Sequence, residues 1–340
     1  MNSPNTYNQA MAKKKEEILK RTKTTNQEVV KSPSTSPLIR WGKHIAAYAI
    51  LLVVTMLYLK PIAFDGMSLQ QHDNVQALYQ QKEIIDYQEK QGSTIRWTNH
   101  MFGGMPTTMM RSNNRNQIGF YLSMFSSYFS KGEVRTLFLV LLFAYIGLIL
   151  LNVNYVLSIG LAIVLGFFTS NTLYLMAGHT GKMDVLAIIP MIVGAFIYAY
   201  RKNLLLGTTI FTIGLSYNIM RNHVQMTYYM YFALTIIGLF FLIDSVQKQT
   251  LPKFGKFAVS MILATLLGVM SNLGTLWPSY EYGQASTRGT SELTKKADQS
   301  PDADKNASTG LGYNYVFDLS MEKAEIMSLA FPNFYGGTQG

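Results

Sequence analysis

Between residues 44 and 278 the chain carries seven apolar runs, each about 16–22 residues long and almost free of charge, separated by polar stretches. About 20 apolar residues carry a helix across a bilayer. Backbone in lipid must satisfy its polar groups internally, as helix or closed barrel. The pattern therefore predicts an all-α integral membrane protein with about seven transmembrane helices, near 44–60, 134–152, 155–176, 183–200, 203–220, 226–244 and 257–278. The short gaps after the second and fourth runs predict tight helical hairpins. Pro190 is expected to kink the fourth span, with neighbouring helices re-satisfying the freed carbonyl.

The charge of +10 is placed as a membrane protein places it. Nine Lys/Arg fall in the first 43 residues, directly before the first run. That flank reads as a cytoplasmic, flexible basic tail (1–43) followed by a retained signal anchor, and not as a nucleic-acid surface. With the N-terminus inside, the short inner loops hold Arg201, Lys202, Lys248, Lys253 and Lys256. The short outer loops hold only Lys182 and Arg221. This asymmetry follows the positive-inside rule. There is no cysteine, so neither a disulfide framework nor a thiolate metal site is available.

The same topology puts the chemically informative segments outside. The large first outer loop (61–133) contains "HDNVQALYQQKEIIDYQEKQ" (72–91), whose Val75, Leu78, Tyr79 and Ile85 fall near one helical face. Such a helix suits the membrane interface. Gly103, Gly104 and Pro106 in "IRWTNHMFGGMP" (95–106) end it, and "IGFYLSMFSSYF" (118–129) is a second interfacial stretch, too short to span. The last stretch, 279–340, reads as an extracytoplasmic segment at the start of a longer region.

Five outer positions carry candidate chemistry. "GHTGKMD" (178–184) looks at first like a phosphate loop, but a P-loop needs four residues between its glycines, a Ser/Thr after the Lys and a preceding strand. Here two residues separate Gly178 from Gly181, and Met183 follows Lys182. The segment is either a polar turn or a site where His179, Lys182 and Asp184 meet an anionic head group at a helix N-terminus. Asp73, beside His72, is either a first-turn helix acid or a general base for an acceptor hydroxyl. In "MRNHVQ" (220–225), Arg221 and His223 are either span-end residues or a grip on phosphate. Glu281 in "WPSYEY" (277–282) is either part of an aromatic belt or a second carboxylate. The Asp-Ala-Asp at 302–304 sits in linker-like sequence. Zinc-hydrolase and serine-nucleophile signatures are absent. No cofactor is demanded, and a divalent metal at the carboxylate is left open.

Taken in order, Asp73, "RWTNHMFGGMP", "GHTGKMD" and "NHVQMTYYMYF" resemble the N-terminal part of the YfhO-like bacterial membrane proteins, in the form seen in Bacteroidetes, over about 44–340. That family is similar to the GT-C glycosyltransferases. The resemblance implies a bacterial inner-membrane enzyme with its site facing the periplasm. It implies a polyprenyl-phosphate-linked sugar as donor and an extracytoplasmic glycan, lipid or protein as acceptor. Asp73 takes the acidic catalytic position, and Lys182 and Arg221 become candidates for the donor phosphate. One departure is that the acidic motif is a single His-Asp, not a paired Asp-Glu. The alternatives are a flippase for a lipid-linked glycan, using the same grip without chemistry, and a non-catalytic partner in envelope assembly. The span interiors lack Asp, Glu, Lys and Arg, which weighs against a charged transport path.

Overall fold

A computed structural model describes residues 37–284, apart from residues 70, 94, 108–117, 130 and 131, and a few isolated positions beyond 284. The basic tail before residue 37 and the Asp-Ala-Asp at 302–304 lie outside the described residues. The chain divides at Val53–Val54 into two units. Helix α1 (Pro37–Tyr58) crosses that division.

Short α2 (Lys60–Ala63) leads to α3 (His72–Gln91), a two-stranded hairpin, and α4 (Ile118–Phe129). The apolar helices follow: α5 (Gly132–Leu150), α6 (Tyr155–Gly166), α7 (Thr169–Ala177), α8 (Thr180–Arg201), α9 (Leu204–Met220), α10 (Val224–Gln247), α11 (Leu251–Met270) and α12 (Leu273–Gln284). Among the described residues, five helices are long and apolar enough to cross a membrane: α1, α5, α8, α10 and α11. The pair α6–α7 makes a sixth if counted as one bent span, and α9 is a shorter apolar helix. Helices α10 and α11 leave Phe232, Ile236, Leu239, Ile262 and Leu266 exposed. An apolar surface of that extent is unusual on a soluble monomer and normal against lipid. The chain is therefore a predominantly helical, multi-pass membrane protein.

Two of the runs that differ from the sequence reading lie outside the α5–α8–α9 layer. The run 155–176 is broken, with α6 and α7 meeting at 50°. Asn171 stabilises the break, its Nδ2 donating to the Leu165 carbonyl (2.8 Å) and the Gly166 carbonyl (3.3 Å). The run 257–278 is shifted: the helix begins at Leu251 and ends at Met270. Asn272 then donates to the Gly268 carbonyl (2.8 Å) and, across to α9, to the Ser216 carbonyl (3.2 Å).

The core is the α5–α8–α9 layer, drawn together by small residues. A Cβ on Gly147 would lie 2.4 Å from the Pro190 carbonyl oxygen, and one on Gly194 would lie 2.7 Å from that of Gly147. A Cβ on Gly207 would lie 2.5 Å from the Ala199 backbone. Helices that lack side chains at the crossing approach closely, as membrane helices do where packing drives association. The crossing also packs the Pro190 backbone closely against Gly147 of α5. Contacts from Arg135 to Asp184 and from Gly147 to Gly194 set α5 and α8 parallel, and those from Gly207 to Ala199 and from Asn218 to Val185 set α9 antiparallel to α8. The starts of α5 and α8 and the end of α9 therefore share one end of the bundle.

Helix α3 has the two faces its sequence suggests. Val75, Leu78 and Tyr79 are exposed, Ile85 lies beside them, and Ile84 is buried. Lys82 and Asp86 pair across that face at 3.1 Å. After α3, the breaker segment forms a small antiparallel hairpin, β1 (Trp97–Thr98) with β2 (Met105–Pro106), an addition to the all-helical expectation. Gly104, at φ +127°, leaves room for the Trp97 ring, which a Cβ there would meet at 2.7 Å. Thr98 donates to Glu83 and ties the hairpin to α3. Helix α4 is anchored on α9, with the Gly119 N–H donating to Ser216 Oγ (3.1 Å).

Candidate functional site

The shared end of the α5–α8–α9 layer holds one carboxylate and two guanidinium groups. Asp184 lies in the second turn of α8 and is fully buried. A charge taken out of solvent has to be paired. Arg135, from the first turn of α5, reaches Asp184 Oδ2 through Nη2 at 3.0 Å. Arg221, the C-cap of α9, pairs with the same oxygen. The arginine side chains are 15% and 23% exposed, so each keeps an edge toward the outside of the bundle. Tyr217, one turn before Arg221, is fully buried, and its ring meets Phe143 edge-on at 5.9 Å.

The sequence reading starts the fourth span at 183 and leaves Asp184 at the rim. In the structure Gly178 closes α7 at φ +85°, and α8 begins at Thr180. The helix thus starts about one turn earlier and carries Asp184 inward. Its role is to hold two cations in place, which differs from direct contact with an anionic head group.

The other basic residues of these loops gather beside it. Lys182 Nζ sits 4.7 Å from the Tyr174 ring centroid, and the His179 ring is 6.4 Å from that of Tyr174. Asn222 adopts φ +54°, a left-handed conformation asparagine tolerates, and so turns the chain from α9 into α10. His223 becomes the N-cap of α10. Burial lowers its pKa below the ordinary 6.5, and the nearby charges of Lys182 and His179 lower it further. Asn218 fixes the arrangement, donating to the Val185 carbonyl (3.1 Å) and accepting from Thr227 (2.7 Å).

The start of α3 packs on the same segment. Gln71 donates to the Leu175 carbonyl and accepts from Asn74. A Cβ on Gly178 would meet Gln71 Cβ at 3.0 Å and Asn74 Cγ at 3.3 Å. His72 and Asp73, between those two residues, thus lie in the first turn of α3 beside the "GHTGK" loop. Their side chains lie outside the described residues. Glu281 is exposed on α12 and accepts from Trp277 Nε1 (2.8 Å) within its own helix. Among the described residues, no group of three or more His, Asp and Glu is placed to hold a metal ion.

The sequence reading missed Arg135 and Tyr217. The available signal was a lone arginine at the second position of the second apolar run, opposite in charge to an aspartate at the matching edge of a parallel span. Two arginines on one buried carboxylate, with Lys182, His179 and His223 in the adjoining loops, give this end of the bundle the composition of an anion site. The fold and this end together define a multi-pass helical membrane protein with basic side chains gathered at one end of its helical bundle. No protein-family model, curated protein or solved structure matches the chain.

Proposed function

We propose that the protein is a GT-C-like membrane glycosyltransferase, of the YfhO-like kind that its sequence resembles. It moves a sugar from a polyprenyl-phosphate donor to an extracytoplasmic glycan, lipid or protein. In this reading all seven apolar runs span, the N-terminus is cytoplasmic and the Asp184 end faces the periplasm. The observation that carries it is the juxtaposition of the Arg135–Asp184–Arg221 cluster and Lys182 with the first turn of α3, where Asp73 lies. Lys182 and the outward edge of Arg221 receive the donor phosphate, with His179 and His223 beside them. The lipid phosphate is the leaving group. Asp73 takes the proton from the attacking acceptor hydroxyl, a task worth about 10²–10⁴ in rate. An apolar groove of about 520 Å³ between α10 and α11, starting at Tyr231, offers room for an isoprenoid chain.

The test is sugar transfer from polyprenyl-phosphate donors in membrane vesicles, with the protein and its Asp73→Asn form at equal expression. Donor-dependent transfer that disappears in the variant supports the reading. Equal transfer from both returns Asp73 to being a helix-terminal acid, and no transfer from either overturns the enzyme. A second reading, a flippase for the same lipid-linked sugar, is favoured by the bent α6–α7 pair, because transporters build their paths on broken spans. It requires translocation of the intact lipid without sugar transfer.

A further inference from the structure

The opposite end of the bundle has a second charged cavity, independent of the Asp184 cluster. It has a volume of about 630 Å³ and opens between the C-terminal end of α8 and the turn joining α10 to α11. Helix α8 has 22 residues, so its two ends are about 33 Å apart, a bilayer's thickness.

The floor is aromatic. The Tyr200 and Phe241 rings stack with centroids 4.1 Å apart at 12°. The Tyr200 hydroxyl is held by Ser245 Oγ at 2.6 Å, which fixes the ring. Cations lie on both sides of this stack. Lys253 Nζ is 4.8 Å from the Tyr200 centroid, and the Arg201 guanidinium is 5.9 Å from that of Phe241. Lys248, also lining the cavity, pairs with Asp244 at 2.6 Å. Among the described residues, neither Arg201 nor Lys253 has a carboxylate within ion-pairing distance. Three basic side chains against one carboxylate leave a net charge of +2 in the cavity.

Two further features decide what kind of anion fits. Phe240 and Ile243 line the same cavity and are 67% and 53% exposed, so an apolar wall runs directly from the basic pocket onto the outer surface of α10. The cavity also lies at the end of apolar spans, at the level where lipid head groups sit. A free ion would use the cations and leave the wall idle, whereas an amphiphile uses both. We propose that this cavity binds the phosphate head of an anionic phospholipid, with Arg201 and Lys253 as the phosphate donors and the lipid chains lying along Phe240 and Ile243. Both side chains line the cavity, and a guanidinium or ammonium group over a ring face still has N–H donors to spare for a phosphate. Basic pockets between spans are an established form of lipid-head recognition.

The experiment is native mass spectrometry of the protein from nanodiscs containing phosphatidylcholine with increasing phosphatidylglycerol. Selective retention of phosphatidylglycerol is expected. Lys253→Met keeps an unbranched stem over Tyr200 and removes the charge, and Arg201→Gln removes the fork. Each should weaken retention about tenfold, as expected for a lost charge-assisted contact. Lys202→Gln, a neighbouring exposed cation that does not line the cavity, should leave it unchanged. Should Arg201→Gln fail to fold, Lys253→Met alone decides. Equal retention of the two lipids, or unchanged selectivity in Lys253→Met, overturns the proposal. Displacement of phosphatidylglycerol by millimolar inorganic phosphate also overturns it, since the site would then serve a free ion.

Discussion

Asp184→Asn is the most informative single substitution in the protein. It keeps the side chain's size and removes its charge. The parent carboxylate has no exposed surface, and its two arginine partners are 15% and 23% exposed. Without the anion, two guanidinium groups face each other in a setting where water reaches neither freely. Breaking a buried ion pair by removing one partner costs about 3–5 kcal/mol, because the remaining charge is uncompensated. Both guanidinium groups pair with this carboxylate, so a loss within that range is expected. Reversible unfolding in mixed micelles, titrated with denaturing detergent, measures it. A second variant separates charge from packing. Arg135→Met/Asp184→Leu/Arg221→Met removes all three charges at similar volume, and buried charge clusters replaced in this way often keep or gain stability. It should recover most of the loss while abolishing anion binding. If Asp184→Asn unfolds within about 1 kcal/mol of the parent, the buried-counterion account is wrong.

Three further outcomes follow from the geometry. Gly194→Leu places a side chain where even a Cβ would lie 2.7 Å from the Gly147 carbonyl, so it should separate α5 from α8 and lower the thermal midpoint, whereas Gly181→Ala, where a Cβ meets nothing within 4 Å, should not. His223 has a folded pKa below its ordinary 6.5, so the folded state takes up its proton later than the unfolded one as pH falls. Its contribution to stability is therefore present above pH 6.5 and declines as pH drops through 6.5 toward the lowered value, and His223→Gln should flatten that part of a stability–pH curve. A bound phosphate beside Lys182 and His179 should raise the His223 pKa, which a histidine-labelled NMR titration with and without ligand would read directly.

The helical layout was largely legible because lipid imposes it. A run of apolar residues at helical length has few alternatives, and the exposed face of α3 followed from the spacing of Val75, Leu78, Tyr79 and Ile85. The break between α6 and α7 was not legible, because nothing in "VLGFFTSN" marks a stop as proline would, and the side chain that stabilises it, Asn171, lies beyond the bend. The hairpin at 97–106 is too short to leave a period. For the site, the sequence picked out His179, Lys182, Arg221 and His223, which the structure brings to one end of the bundle. It could not show Arg135 joining them, because that depends on how closely α5 and α8 cross at Gly147 and Gly194. It also could not show that Asp184 points inward, because that depends on where α8 begins.

The central claim is that the Asp184 end of the bundle grips a lipid-linked phosphate. Its most direct measurement is binding of a fluorescent polyprenyl phosphate, against the matching polyprenyl alcohol, to the protein in phosphatidylcholine nanodiscs, with Lys182→Ala as the variant. The account predicts binding of the phosphate and not of the alcohol, weakening with salt, and about 10–100-fold weaker in Lys182→Ala, the range expected for one lost hydrogen bond to a charged group. Equal binding of phosphate and alcohol, or an affinity indifferent to Lys182, would contradict it.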